Sequence, residues 1–176
     1  MAGGKLIYLS LGSNLGDREA NLARAIGALS RLGVRILKRS SIYETEPVDF
    51  LSQPWFLNGA IEAETSLAPA ELLGKLQSVE QELGRQKGLA RGPRIIDLDI
   101  LFYGDEAIRD AGIEIPHPRL ADRRFVLIPL SELAPEFRHP VLGKTAAEML
   151  AATKDRSVVR LWQSAWGGKT SQAAGE

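Results

Sequence analysis

Ile95-Ile96-Asp97-Leu98-Asp99-Ile100-Leu101-Phe102-Tyr103 reads as a strand, and it completes the pattern that decides the fold. Side chains alternate along a strand, so Asp97 and Asp99 are expected on one face and Ile96, Leu98, Ile100 and Phe102 on the other. Upstream, Pro69 opens a helix carrying Leu72, Leu76, Val79 and Leu83 at helical spacing, stopped by Gly84. Trp55 to Glu64 alternates as a strand, and Tyr43-Glu44-Thr45-Glu46-Pro47 before it leads into a loop. Val34 to Ser41 is β-branched and basic, and is read as a strand. Leu22, Ala25, Ile26, Leu29 and Leu32 mark a first helix ended by Gly33, and Leu6 to Leu11 a first strand. The order strand, helix, strand, strand, helix, strand predicts an α+β fold, a ferredoxin-like βαββαβ sandwich with an appended C-terminal segment.

The chain has 176 residues, enough for one domain with a real core. Lys+Arg and Asp+Glu both number 22, so no global field favours nucleic acid, and any anion site must come from local clustering. With no cysteine, disulfides, thiolate metal sites and a cysteine nucleophile are excluded. The first residues run directly into the strand pattern, so no leader is expected, and no apolar run approaches the ~18 residues of a membrane helix. A cytoplasmic monomer free of membrane and nucleic acid is expected. The small polar residues 167–176 are expected to form a disordered tail.

Two carboxylates about 7 Å apart on one strand repel and desolvate each other unless positive charge lies between them. Hard-cation ligation, as of magnesium, resolves this, and two ions roughly 4 Å apart suit such a pair. An isolated D-x-D also fits a solvated strand face or salt bridges to arginines. The loop before it favours the first reading over a solvated basic segment. Arg85, Lys87, Arg91 and Arg94 stand there without an acidic residue among them. Magnesium-holding carboxylates beside uncompensated arginines make the pattern of a nucleoside triphosphate site. The same loop, with Gly88, Gly92 and Pro93, is expected to be a mobile lid.

Phe56 and Asn58 share a strand face and suit stacking on, and edge-reading of, a flat ring; Phe56 as core fits equally. His117 sits between Pro116 and Pro118, with Arg123 and Phe125 following, which fits either a site segment or a capping loop. Gly168-Lys169-Thr170 does not end a phosphate-binding loop, because position 163 is Gln where that motif needs Gly.

In order along the chain, Leu11-Gly12-Ser13-Asn14-Leu15-Gly16-Asp17, Tyr43-Glu44-Thr45-Glu46-Pro47, Gln53-Pro54-Trp55-Phe56-Leu57-Asn58, Gly92-Pro93-Arg94-Ile95-Ile96-Asp97-Leu98-Asp99-Ile100-Leu101, Pro116-His117-Pro118-Arg119 and Phe125-Val126-Leu127-Ile128-Pro129-Leu130 resemble the 6-hydroxymethyl-7,8-dihydropterin pyrophosphokinases of folate synthesis. The resemblance implies transfer of a pyrophosphoryl group from ATP, the co-substrate, to the pterin hydroxymethyl group, with AMP released. It implies a pyrophosphokinase domain over residues 1–166 and two Mg²⁺ ions on Asp97 and Asp99. It places Arg85 and Arg94 with those aspartates in the catalytic set. Gln77, Glu80, Lys87, Leu98, Ile100, His117 and Arg123 match positions lining the ATP site. Thr45, Val48, Phe56, Asn58 and Phe125 match positions around the pterin. Arg91 stands where relatives usually carry an aromatic. The rival readings are another metal-dependent nucleotidyl or phosphoryl transferase, and a ferredoxin-like binding module.

Overall fold

A computed structural model describes residues 3–48, 51–84, 93–110 and 112–163. The expected tail at 167–176 and the proposed lid loop, apart from Pro93 and Arg94, lie outside these. The elements are β1 (Lys5–Ser13), α1 (Arg18–Arg31), β2 (Val34–Arg39), β3 (Ile42–Thr45), β4 (Phe56–Thr65), α2 (Pro69–Glu82), β5 (Asp97–Tyr103), β6 (Ile108–Asp110), β7 (Ile113–Ile115), α3 (Arg124–Leu133), α4 (Ala146–Ala152) and β8 (Val159–Gln163).

Local chemistry sets the helix ends. Asp17 caps α1 by accepting the Ala20 N–H at 3.1 Å. Pro69 begins α2, where Glu71 reaches back to the Ala68 N–H at 2.9 Å. Gly33 and Gly84 follow the two helices with φ of 99° and 106°, a conformation that admits glycine far more readily than other residues.

The main sheet is antiparallel and runs β5-β1-β4-β3-β8, with β2 also pairing β4. The stretch from Val34 differs from the sequence reading. Instead of one strand followed by a lead into a loop, it forms two short strands, both on β4. The break falls at Ser40, whose N–H donates to the Ala60 carbonyl while its Oγ accepts the Ala60 N–H, each at 2.9 Å. The hydroxyl thus takes a place in the ladder that a backbone carbonyl would have held, and Ile42–Thr45 resumes pairing beyond it. β8, on the outer side of β3, had no clear periodic signal in the sequence.

Ile7, Leu9, Leu11, Leu57, Ile61, Leu98 and Ile100 bury one sheet face against Leu22, Ala25 and Leu29 of α1 and Leu72, Leu76 and Val79 of α2. On the other face Tyr8, Leu101 and Phe102 pack under Val126, Leu127 and Leu130 of α3 and Ala146 and Met149 of α4. Phe102 is on that second face because of a bulge. Leu9 pairs with Ile100 but Tyr8 pairs with Phe102, so Leu101 is the extra residue. The expectation that Phe102 opposes the aspartates is therefore corrected: Asp97, Asp99 and Phe102 lie opposite Gly12, Ser10 and Tyr8, on a common face. The Leu101 carbonyl accepts the His117 N–H at 3.2 Å, which brings the chain after β7 back over β5. No helix among the described residues is long and apolar enough to cross a membrane.

Candidate active site

A cavity of about 510 Å³ opens beside β5, reaching from Asn58 and Phe125 on the second face to Gln77 and Glu80 of α2 on the first. Asp97 and Asp99 of β5 line one side. The Arg94 guanidinium lies 2.9 Å from Asp97 Oδ1, with its side chain only 16% exposed. Behind them Glu80 of α2 is buried and accepts the Leu98 N–H at 2.8 Å, satisfying a donor near the start of β5.

The Asp99 side chain keeps 39% of its surface exposed, but its depth in the cavity, then the charges of Asp97 and Glu80, raise its carboxyl to about 7, against weaker opposition from Arg123 and Arg94. His117 moves the other way. Burial, then the charges of Arg123 and Arg119, push its imidazole down to about 4. Its Nδ1 accepts the Arg119 N–H at 3.1 Å, so the neutral ring carries its proton on Nε2. That Nε2 lies 4.0 Å from Asp99 Oδ1, a contact of a neutral donor rather than an ion pair.

Among the described residues no three His, Cys, Asp or Glu side chains gather into a metal-holding group. The Asp97–Asp99 pair nonetheless fits magnesium, which keeps several waters and takes one or two carboxylates plus substrate phosphate. The two carboxylates share one strand face, and the Asp97 charge helps to raise the Asp99 carboxyl, a repulsion that a divalent ion would relieve.

This has a consequence for stability. The unfolded pKa of Asp99 is about 3.9. A raised folded pKa gives stability that is fully present below that value and lost as pH climbs through about 7. Water reaching the Asp99 side chain, 39% exposed, screens part of this, so in the absence of metal Asp99→Asn should melt only a few degrees above the parent at pH 8 and level with it at pH 4. Calorimetric scans in EDTA at several pH values check this; a variant melting below the parent at pH 8 contradicts it.

The other side of the cavity is aromatic and amide-lined. Asn58 of β4 is 4% exposed and Thr45 of β3 is 1% exposed. The Thr45 hydroxyl donates to Asn58 Oδ1 at 2.5 Å, and Asn58 Nδ2 donates to the Leu11 carbonyl at 3.3 Å. Phe56 and Phe125 line the same cavity, half-buried, with the Arg123 guanidinium 5.5 Å from the Phe125 ring centre.

Of the residues singled out in the sequence, the structure brings Thr45, Val48, Phe56, Asn58, Gln77, Glu80, Arg94, Asp97, Leu98, Asp99, His117, Arg123 and Phe125 to this one cavity. Ile100 does not line it; its side chain packs in the helix-side core. Arg85, Lys87 and Arg91 lie outside the described residues.

Residues 8–135 match the family of 7,8-dihydro-6-hydroxymethylpterin-pyrophosphokinase, HPPK. The chain belongs to the HPPK family. It is 43% identical to a 2-amino-4-hydroxy-6-hydroxymethyldihydropteridine pyrophosphokinase of Bacillus subtilis, over 90% of each chain. With the protein of the same name from Aquifex aeolicus it shares 44% identity, over 81% of this chain and 88% of the other. It is also 44% identical to a folic acid synthesis protein of Pneumocystis carinii, where 86% of this chain spans only 20% of that longer protein. Among solved structures, an HPPK-DHPS in complex with substrates has a TM-score of 0.72 at 14% identity, covering 86% of this chain and 43% of that one, a likeness of fold.

Asn14, within the Leu-Gly-Ser-Asn segment that helped identify an HPPK, has a structural role that the sequence did not reveal. It is 2% exposed. Its N–H donates to the Arg94 carbonyl at 3.0 Å and its Oδ1 accepts the Arg94 N–H at 2.7 Å. Its Nδ2 donates to Gln53 Oε1 at 2.8 Å and to the Pro54 carbonyl at 2.9 Å. One side chain thus ties the base of Arg94 to the segment leading into Phe56. Arg119, Gln53 and Glu46 also line the cavity; each lies in one of the quoted segments, but the sequence reading gave it no role of its own.

Proposed function

We propose that this chain transfers the pyrophosphoryl group of ATP to the hydroxymethyl group of 6-hydroxymethyl-7,8-dihydropterin and releases AMP, in folate biosynthesis. The observation that carries this is one cavity holding both a paired-carboxylate wall, Asp97 and Asp99, and an aromatic-amide wall, Phe56, Asn58, Thr45 and Phe125. Family membership and the B. subtilis relative support it. The strand order β5-β1-β4 with β2 and β3 beyond, all antiparallel, supports a ferredoxin-like core extended by β8. A monomer acting in the cytoplasm is part of the same reading.

Asp97 and Asp99 would hold the two magnesium ions, which supply charge neutralisation across the phosphate chain and lower the pKa of the attacking hydroxyl. The pterin stacks between Phe56 and Phe125, its edge read by Asn58 and by the chain around Thr45 and Val48. Gln77, Glu80, Leu98, His117 and Arg123 form the ATP side, a role that the family resemblance also gives to Lys87. The neutral His117 offers its Nε2–H to a phosphate oxygen, while Arg94, with Arg85, balances charge on the transferred group. Orientation and charge carry the reaction, since phosphoryl chemistry asks little else of a protein.

Incubation with ATP, Mg²⁺ and the hydroxymethyl dihydropterin should yield AMP as the nucleotide product. ADP would indicate a simple kinase, and pyrophosphate with a nucleotidyl adduct a nucleotidyltransferase. For the ring side, Asn58→Ala should weaken pterin binding by about 1–3 kcal/mol, because edge groups lose their partner. Calorimetry with an ATP analogue should give nearly unchanged affinity; equal losses for both ligands would contradict the assignment.

A further inference from the structure

Gly12 of β1 lies between the two walls of the cavity. Across the sheet it pairs with Asn58 of β4 on one side and with Asp97 of β5 on the other. A Cβ on Gly12 would stand 2.5 Å from Asn58 Nδ2 and 3.6 Å from Phe56 Cδ2. The first distance is well inside van der Waals contact, so the Asn58 amide occupies the space that any other side chain would take. Backbone geometry gives no reason for glycine here. Among the described residues the glycines with positive φ are Gly16, Gly33, Gly84, Gly104, Gly112 and Gly143, and Gly12 is not one of them. What the site uses is the missing side chain.

Asn58 cannot step aside freely. Its Oδ1 takes the Thr45 hydroxyl and its Nδ2 the Leu11 carbonyl, both on the buried floor. An asparagine amide has two N–H donors and two acceptor lone pairs, so these two bonds leave one of each for a ligand. We infer that Gly12 is a positioning residue for pterin recognition: its bare Cα lets the Asn58 amide lie against β1, fixed by Thr45 and Leu11, with one donor and one acceptor left for the edge of a flat heterocycle. The inference rests on the reading of Asn58 as a pterin contact. An added methyl would meet the end of a side chain rather than backbone, so the fold should survive and the cost should fall on Asn58.

The test is a double-mutant cycle with Gly12→Ala, Asn58→Ala and the pair, reading the Kd of 6-hydroxymethyl-7,8-dihydropterin in the presence of Mg²⁺ and a non-hydrolysable ATP analogue. Gly12→Ala alone should raise that Kd by about tenfold or more, since it unseats the amide. The Kd of the ATP analogue should stay within about twofold. Added to Asn58→Ala, Gly12→Ala should change the pterin Kd by less than about twofold, because the obstructed group is gone. If Gly12→Ala folds only when Asn58 is also shortened, the steric pairing stands, and equal pterin affinity of the double variant and Asn58→Ala carries the inference. A weak Asn58→Ala binder beside a normal Gly12→Ala binder, or fully additive losses, overturns it alone. An Asn58→Ala variant with unchanged pterin affinity overturns the underlying reading as well.

Discussion

Asp97→Asn and Asp99→Asn should each lower kcat by roughly 1,000-fold or more, the scale of several kcal/mol of metal-borne stabilisation. Both side chains stand on the open face of β5 and line the cavity. Asparagine keeps their shape and removes the charge, so packing above Leu98 and Ile100 is undisturbed and the near-ultraviolet dichroism should be retained. Steady-state AMP release at saturating substrates measures the effect. Adding Mg²⁺ should not restore the rate, because the variants lack ligand charge and not merely affinity. Near-normal turnover in both variants would remove the metal-site assignment.

Arg94→Ala should lower kcat by about 100- to 1,000-fold, in the range seen when one preorganised charge-stabilising donor is lost. Its guanidinium is largely buried, 2.9 Å from Asp97 Oδ1, and its backbone is held on both sides by Asn14. The group is thus fixed in place before any substrate arrives. Arg94→Lys should recover only part of the loss, since an ammonium cannot reproduce the planar fork. Asn14→Ala leaves the guanidinium present but frees its backbone, so its loss of kcat should be smaller than that of Arg94→Ala. An Arg94→Ala enzyme with kcat within about threefold of the parent would contradict this placement, since even one lost donor is expected to cost far more.

Much of the fold was legible because it rests on local rules. Apolar spacing, Pro69 at a helix start and Gly33 and Gly84 at helix ends act over a few residues, and the structure follows them. Departures arose where distant partners decided. Ser40 ends β2 by joining the ladder of β4, twenty residues on. The Leu101 bulge is defined by pairing with β1, and it alone returns Phe102 to the aspartate face. β8 pairs with a strand more than a hundred residues earlier, and nothing in its own alternation announces it.

The same division runs through the site. Asp97 and Asp99 were legible because a carboxylate pair in an apolar strand is chemically unusual in itself. Asn14 was not, because its importance lies in hydrogen bonds to partners 39 to 80 residues away. The Asn58–Gly12 contact was hidden for the same reason: a glycine declares nothing about the side chain that fills its space.

The reaction itself is tested most directly with ATP carrying a radioactive β-phosphorus, incubated with Mg²⁺ and 6-hydroxymethyl-7,8-dihydropterin. Attack at the β-phosphorus sends that label to the pterin product, while label at the α-phosphorus stays in the nucleotide. Appearance of the β-label on the pterin, with unlabelled AMP released, is the predicted result. Retention of the β-label in ADP would contradict it.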